Sequence, residues 1–149
     1  MRLRVLVVDD EPLARERLTH LVEDLPDVEL AGTAGTGEEA LMLAGSLRPD
    51  VILLDIRMPG MGGLEAAHHL ARLPEPPAVI FTTAYDEHAL AAFDAQAAGY
   101  LLKPVRLEKL QEALARARVA VYPPSFLTTS AASLRLTASV PAPFRSRTT

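Results

Sequence analysis

The stretch VILLD, residues 51–55, carries four consecutive apolar side chains and ends on a carboxylate. A strand with one face in water alternates apolar and polar residues, so a short unbroken apolar run reads as a strand covered on both faces, as in a parallel sheet between layers of helices. Working outward, LRVLVV at 3–8 is a second such run, followed directly by Asp9 and Asp10. Further strand candidates lie at 28–33, 78–82 and 100–102. Each strand precedes a segment of helical periodicity, and five strand-helix alternations predict an α/β domain: a three-layer, doubly wound, five-stranded parallel sheet with five helices.

The helical segments carry their own punctuation. Pro12 stands just inside the first, whose buried face is predicted to be Ala14, Leu18, Leu21, Val22 and Leu25. Thr36 and Glu39 form a capping box for the second, ahead of Ala40, Ala44 and Leu47. Gly63 precedes the third. Asp86 is placed to cap a fourth running through Leu90, Phe93 and Ala97, with Gly99 placed to stop it. The fifth repeats Leu107, Leu110, Leu114, Ala117 and Val121.

The chain has 149 residues, 49% hydrophobic and 23% charged, enough for one domain with a real core. No cysteine is present, which excludes disulfide frameworks, thiolate metal sites and cysteine nucleophiles, and a reducing cytoplasm is the expected compartment. Only Val5 to Val8 separate Arg4 from three acids, too little for a signal-peptide core, and no apolar stretch is long enough to span a bilayer. Residues 1–121 hold 12 Lys+Arg against 19 Asp+Glu, a balance of −7, whereas 122–149 hold three Arg and no acid. An acidic domain is a poor partner for a phosphate backbone, so direct nucleic-acid binding by residues 1–121 is not expected. From Tyr122 onward, ten Ser/Thr, four Pro and four Ala in 28 residues describe a tail or linker expected to be disordered, with only a weak strand-like alternation at 134–140.

The chemistry is carried by the strand ends. In a doubly wound sheet the crevice lies beyond the carboxyl ends of the strands, where strand order reverses. Asp9 and Asp10 close the first strand and Asp55 the third, so all three carboxylates are expected there. Like charges so close repel one another, and a shared divalent cation relieves them; magnesium, a hard ion that takes one or two carboxylates plus a phosphate, suits the set. Thr83 beyond the fourth strand and Lys103 beyond the fifth, just before Pro104, add a hydroxyl and an ammonium. Together these five supply a nucleophile in Asp55, a metal site, a fixed cation and a hydrogen-bond donor, which is what phosphoryl transfer to a carboxylate requires.

Taken singly, each residue has a plainer explanation: a strand-end aspartate often caps a helix, and Asp10 is placed to do both; a lysine before proline is usually a surface turn; a threonine is a strand former. It is their joint placement that points to a site. Histidines add nothing, because His68 and His69 are helix neighbours pointing about 100° apart, while His20 and His88 are isolated, and no acid accompanies any of the four at i+4 spacing on an apolar face. GTAGTG at 32–37 has its glycines in the wrong order, after the second strand instead of the first, and reads as a tight turn and not as a nucleotide-binding loop.

VVDDE at 7–11, DIRMPGMGG at 55–63, TTA at 82–84 and GYLLKP at 99–104 resemble the receiver domains of two-component response regulators, over about residues 2–120. PLARERL at 12–18 and AYDEHALAAF at 84–93 are similar to the subgroup that carries LytTR-type DNA-binding domains, alginate regulators among them. The resemblance implies the flavodoxin-like strand order 2-1-3-4-5 and a phosphorelay in which a histidine kinase phosphorylates Asp55. It further implies that Asp10, Asp55 and the backbone carbonyl of Arg57 bind Mg2+, with Asp9 helping through a metal-bound water. Lys103 would pair with the phosphate, Thr83 would move to bond it, and Tyr100 would change rotamer to signal around the fourth helix. The Lys103-Pro104 bond would be cis, and phosphorylation is a candidate trigger for homodimerisation.

Two positions depart from the family pattern: Gly62, where Asp or Asn is frequent, and Arg57, whose cation bears on the lifetime of the phosphate. An output domain of the LytTR type would need roughly a hundred further residues, so the chain reads either as the receiver of a longer regulator or as a stand-alone receiver acting by protein binding. A phosphohydrolase using an aspartyl-phosphate is the enzymatic rival; such enzymes commonly place a second acid two residues after the nucleophile, where this chain has Arg57.

Overall fold

The computed structural model of the chain describes residues 2–122. Its strands are β1 Leu3–Val8, β2 Val28–Ala34, β3 Val51–Asp55, β4 Ala78–Thr83 and β5 Gly99–Leu102, and its helices α1 Pro12–Glu23, α2 Gly37–Leu47, α3 Gly63–Leu70, α4 Ala89–Asp94 and α5 Leu107–Val121. All strand pairs are parallel, in the order β2-β1-β3-β4-β5, as the resemblance implied. Every residue of β3 is buried, in line with an apolar run that has helices on both sides.

The period-two alternation of the strands divides the core into two layers. Val7, Leu53, Ile80 and Leu101 face α1 and α5, packing with Leu18, Val22, Leu110 and Leu114. Val8, Ile52, Leu54 and Phe81 face α2, α3 and α4, packing with Ala40, Ala44, Leu70 and Ala92. Continued past the strand ends, the same alternation puts Asp9, Asp55, Thr82 and Lys103 on the α1-α5 side, in a row across the edge of the sheet.

Local expectations hold for the buried faces of α1 and α5 and need correction at several helix ends. On α1, Leu18 and Val22 are buried, with Ala14 and Leu21 half-buried; Leu25, expected on the same face, is buried two residues past the helix end. Glu11, not Asp10, occupies the N-cap of α1 and makes no side-chain cap bond, so Asp10 is free of the second role given to it. At α2, Thr36 Oγ1 accepts from the Glu39 N–H at 3.0 Å, but the Glu39 carboxylate reaches one residue further back than a capping box requires and accepts from the Gly35 N–H at 2.8 Å. Asp86 caps nothing: it opens a 3-10 turn, Asp86–His88, that leads into α4. That helix is short, it ends before Gln96 in the left-handed region (φ 60°), and Gly99 already belongs to β5. Leu90 and Phe93 are 73% and 77% exposed, so the apolar pattern that suggested a longer helix marks a solvent face.

Tyr122, the first residue of the expected tail, packs on the α1-α5 core, and its hydroxyl donates to Asp50 Oδ2 at 3.1 Å. The segment 123–149, including the alternation at 134–140, lies outside the described residues.

Glycines at the front of α2 and α3 are packing devices. A Cβ on Gly37 would stand 2.8 Å from the Met61 carbonyl oxygen, and one on Gly63 only 2.2 Å from the carbonyl oxygen of Asp55. Gly63 thereby lets α3 start directly against the residue that ends β3, held by a bond from its N–H to the Ile56 carbonyl at 2.8 Å. Gly45, inside α2, has nothing within 4 Å of a built Cβ. Gly63→Ala should therefore destabilise the domain by on the order of 3 kcal/mol through overpacking, while Gly45→Ala should stabilise it by about 0.5–1 kcal/mol; urea unfolding of the two variants checks both signs.

Candidate functional site

The row at the edge of the sheet is organised by one ion pair. Asp9 is fully buried, and its Oδ2 accepts from Lys103 Nζ at 2.7 Å, while its Oδ1 accepts from the Glu11 N–H at 2.9 Å. Lys103 Nζ also stands 3.5 Å from Asp55 Oδ1. Asp10 joins from the lip of the crevice, and Asp9, Asp10 and Asp55 each offer a carboxylate oxygen within 4.8 Å of the others. Three carboxylates thus converge on a crevice where, among the described residues, Lys103 Nζ meets only Asp9 and Asp55.

The imbalance shows in the titration of Asp55. Its burial, the charge of Asp9 and a hydrogen bond with Asp10 push its pKa from 3.8 up to about 7, against the pull of Lys103 and the Arg57 backbone. Burial alone would lower the Lys103 pKa, but the hydrogen bond to Asp9 and the charges of Asp55 and Asp9 outweigh it and hold the ammonium above its ordinary value. A buried group that is only half ionised near neutrality, beside two further acids, is a site short of positive charge. The donor set fits a hard divalent cation: oxygen ligands only, converging from two strand ends.

Thr83 is buried at the end of β4, where its hydroxyl accepts from the Tyr85 N–H at 3.2 Å. Tyr100 on β5 donates its hydroxyl to the Tyr85 carbonyl at 2.6 Å. The Arg57 guanidinium lies 4.9 Å from the centroid of the Tyr85 ring, so its side chain is occupied away from the carboxylates. Tyr85 is therefore held at its N–H, its carbonyl and its ring, by three residues singled out from the sequence, though nothing in the sequence singled out Tyr85 itself. Lys103-Pro104 is cis. Gly62 is the N-cap of α3 and supplies no side-chain cap, which is what its departure from the family pattern removes.

Other contributors were not legible in advance. Arg15 on α1 donates to the Asp9 carbonyl at 2.7 Å, pinning the first strand end. Thr82, placed in advance only at the end of the fourth strand and in the TTA motif, is fully buried within the row. The histidines stay outside the site; His69 approaches Glu65 one turn earlier at 3.9 Å on an exposed face.

The response regulator receiver domain model matches residues 5–115. The chain belongs to this family. Over 116 residues it is 59% identical to the positive alginate biosynthesis regulatory protein of Pseudomonas aeruginosa, a match covering 77% of this chain and 47% of that protein. It is 45% identical over 112 residues to the sensory transduction protein LytT of Bacillus cereus, covering 75% of this chain and 46% of that one. The chain thus spans about half the length of the curated relatives it matches. Among solved structures, the signal receiver domain of NarL from Mycobacterium tuberculosis aligns with a TM-score of 0.73 and 37% identity over 78% of this chain and 97% of that one. The chain is a receiver domain of the two-component response-regulator family, similar over its matched residues to the alginate regulatory protein and LytT. No helix of the described residues is long and apolar enough to cross a membrane.

The raised pKa of Asp55 sets a pH dependence. Between its unfolded value of 3.8 and about 7 the native state binds more protons than the unfolded chain, so stability falls as pH rises through that window and levels off above it. Asp55→Asn should flatten this slope and, without added metal at pH 8, raise Tm over the wild type by ~5 °C, as read from thermal melts between pH 4 and 8.

Proposed function

We propose that Asp55 accepts a phosphoryl group from the phosphohistidine of a sensor histidine kinase, and that this receiver switches conformation to control transcription. The observation that carries the reading is the buried Asp55, with Lys103 Nζ 3.5 Å away and Asp9 and Asp10 beside it. Asp10, Asp55 and the backbone carbonyl of Arg57 would hold Mg2+, with Asp9 helping through a metal-bound water. When bound, the ion supplies the positive charge that three carboxylates and an incoming phosphate lack.

In the transfer itself an Asp55 carboxylate oxygen attacks phosphorus, a phosphorus-oxygen bond forms, the phosphorus-nitrogen bond breaks, and the imidazole departs with the electron pair. The attacking form is the carboxylate, which a bound Mg2+ would favour over the half-protonated resting state, so no general base is needed and the protein's task is positioning and charge stabilisation. Lys103 offers its ammonium to the phosphoryl oxygens. Thr83 can offer its hydroxyl proton, but its oxygen now accepts from the Tyr85 N–H, which fixes the side chain, so turning it toward the phosphate means rearranging the loop at Tyr85. That loop also holds the Tyr100 hydroxyl, so the rearrangement frees Tyr100 to change rotamer and alters the surface around α4.

Turnover of an external phosphate ester would call for an acid two residues past Asp55. Arg57 stands there, stacked on Tyr85. We therefore read the domain as a switch whose only chemistry is its own phosphorylation and dephosphorylation, in the cytoplasm. Output would pass through a LytTR-type DNA-binding domain beyond the segment aligned with the relatives, with homodimerisation as the accompanying change.

Incubation with magnesium chloride and acetyl phosphate, followed by intact-mass measurement, should add the mass of one phosphoryl group to the wild type and none to Asp55→Asn. Chelating the magnesium should abolish the adduct. An unmodified wild type, or an adduct that persists on Asp55→Asn, overturns the assignment.

A further inference from the structure

Thr82 is fully buried, and its Oγ1 has no hydrogen-bond partner among the described residues. A buried hydroxyl without a partner is costly, and its retention calls for a reason. Its position supplies one. Thr82 is the register partner of Asp55 on β3 and of Leu101 on β5, and paired residues of neighbouring strands point to the same face. Lys103, two residues past Leu101, is rooted on the far side of β4 from Asp55, yet its ammonium lies 3.5 Å from Asp55 Oδ1 and 2.7 Å from Asp9 Oδ2. To get there it crosses β4 at the level of Thr82. The threonine therefore sits between the two groups that the phosphoryl transfer uses, on their side of the sheet, while Thr83 alternates to the other face and is bonded to Tyr85.

Neither the Lys103 ammonium nor the adjacent Asp55 carboxylate bonds to Thr82. The hydroxyl therefore still has its proton to donate, and a phosphoryl group on Asp55 would bring a new acceptor beside it.

We propose that Thr82 is a phosphoryl-binding residue: its hydroxyl donates a hydrogen bond to an oxygen of the phosphoryl group as that group is transferred to Asp55. The hydroxyl keeps its proton, and no bond to it forms or breaks. A hydrogen bond absent in the resting state and made only as the phosphoryl group arrives lowers the barrier without tightening the ground state. This inference rests on Asp55 being the phosphoacceptor.

The test uses the full 149-residue chain with magnesium chloride and acetyl phosphate, following adduct formation by intact mass and stability by thermal melting. Thr82→Val keeps the side-chain shape and removes the hydroxyl; adduct formation should slow ~10-fold, the effect of one charge-assisted hydrogen bond, while Tm stays level or rises. Thr82→Ser should return the rate close to that of wild type. Equal rates for wild type and Thr82→Val overturn the role of Thr82 and leave Asp55 in place. A slow rate in Thr82→Ser as well as Thr82→Val, or a Tm that falls in Thr82→Val, also overturns it, since either result assigns the hydroxyl or the side-chain shape to the resting fold. A wild type that takes no phosphoryl group overturns the phosphoacceptor reading and this inference with it.

Discussion

The site depends on the bond between Asp9 and Lys103. A fully buried carboxylate is tolerable only where its charge is met, and Asp9 is met by an ammonium at 2.7 Å and a backbone N–H at 2.9 Å. Because Asp9 ends β1 and Lys103 comes after β5, this one contact spans the edge of the sheet over β3 and β4, fixing the crevice from both sides. It also commits the one ammonium in the crevice mainly to Asp9. Asp55 receives the more distant share, which is why burial and the charge of Asp9 outweigh Lys103 in setting its pKa. A crevice pinned in this way stays short of positive charge, a shortage that a bound divalent cation would relieve.

The same edge is tied to the surface by the loop at Tyr85. Thr83, Tyr100 and Arg57 arise on β4, β5 and the turn after β3, and all three converge on Tyr85. The segment after Tyr85 is lightly anchored: a 3-10 turn and a six-residue helix of which only Ala92 is buried. An element with so little buried surface moves at small cost, while the fully buried β3 beneath it does not. Rigidity under the acid cluster and looseness one loop away both result from where the apolar residues fall.

That distribution also explains how far the sequence could be read. Strand candidates matched because a covered parallel strand is written as an apolar run, and the three shared carboxylates matched because the strand ends fix where they lie. The fourth helix was misjudged for a physical reason: Leu90 and Phe93 have the spacing of a buried face but point to solvent, so the rule that apolar residues face inward fails on them. Gln96 in the left-handed region, not Gly99, stops that helix, and a non-glycine residue there leaves no compositional mark. Gly63 could be seen to begin a helix, but not that its missing side chain admits the Asp55 carbonyl. Tyr85 was invisible because its importance rests on backbone groups, which every residue has.

Two positions break local rules, and they are register partners. Asp55 is a carboxylate at 4% exposure whose ionisation the fold disfavours, and Thr82 is a hydroxyl at 0% exposure that the fold leaves unpaired. Elsewhere in β3 and β4 the paired side chains are apolar, from Val51 with Ala78 to Leu54 with Phe81. A valine or asparagine at these two sites would suit the resting domain better, so stability of the resting domain does not explain their presence. Local costs confined to one adjacent pair, at the mouth of a crevice short of positive charge, are expected where a protein gives up resting stability to bind something that comes and goes. The shape of that cost, one oxygen that needs a cation and one hydroxyl without a partner, would be met under the proposed function by a metal ion and a phosphoryl group arriving together.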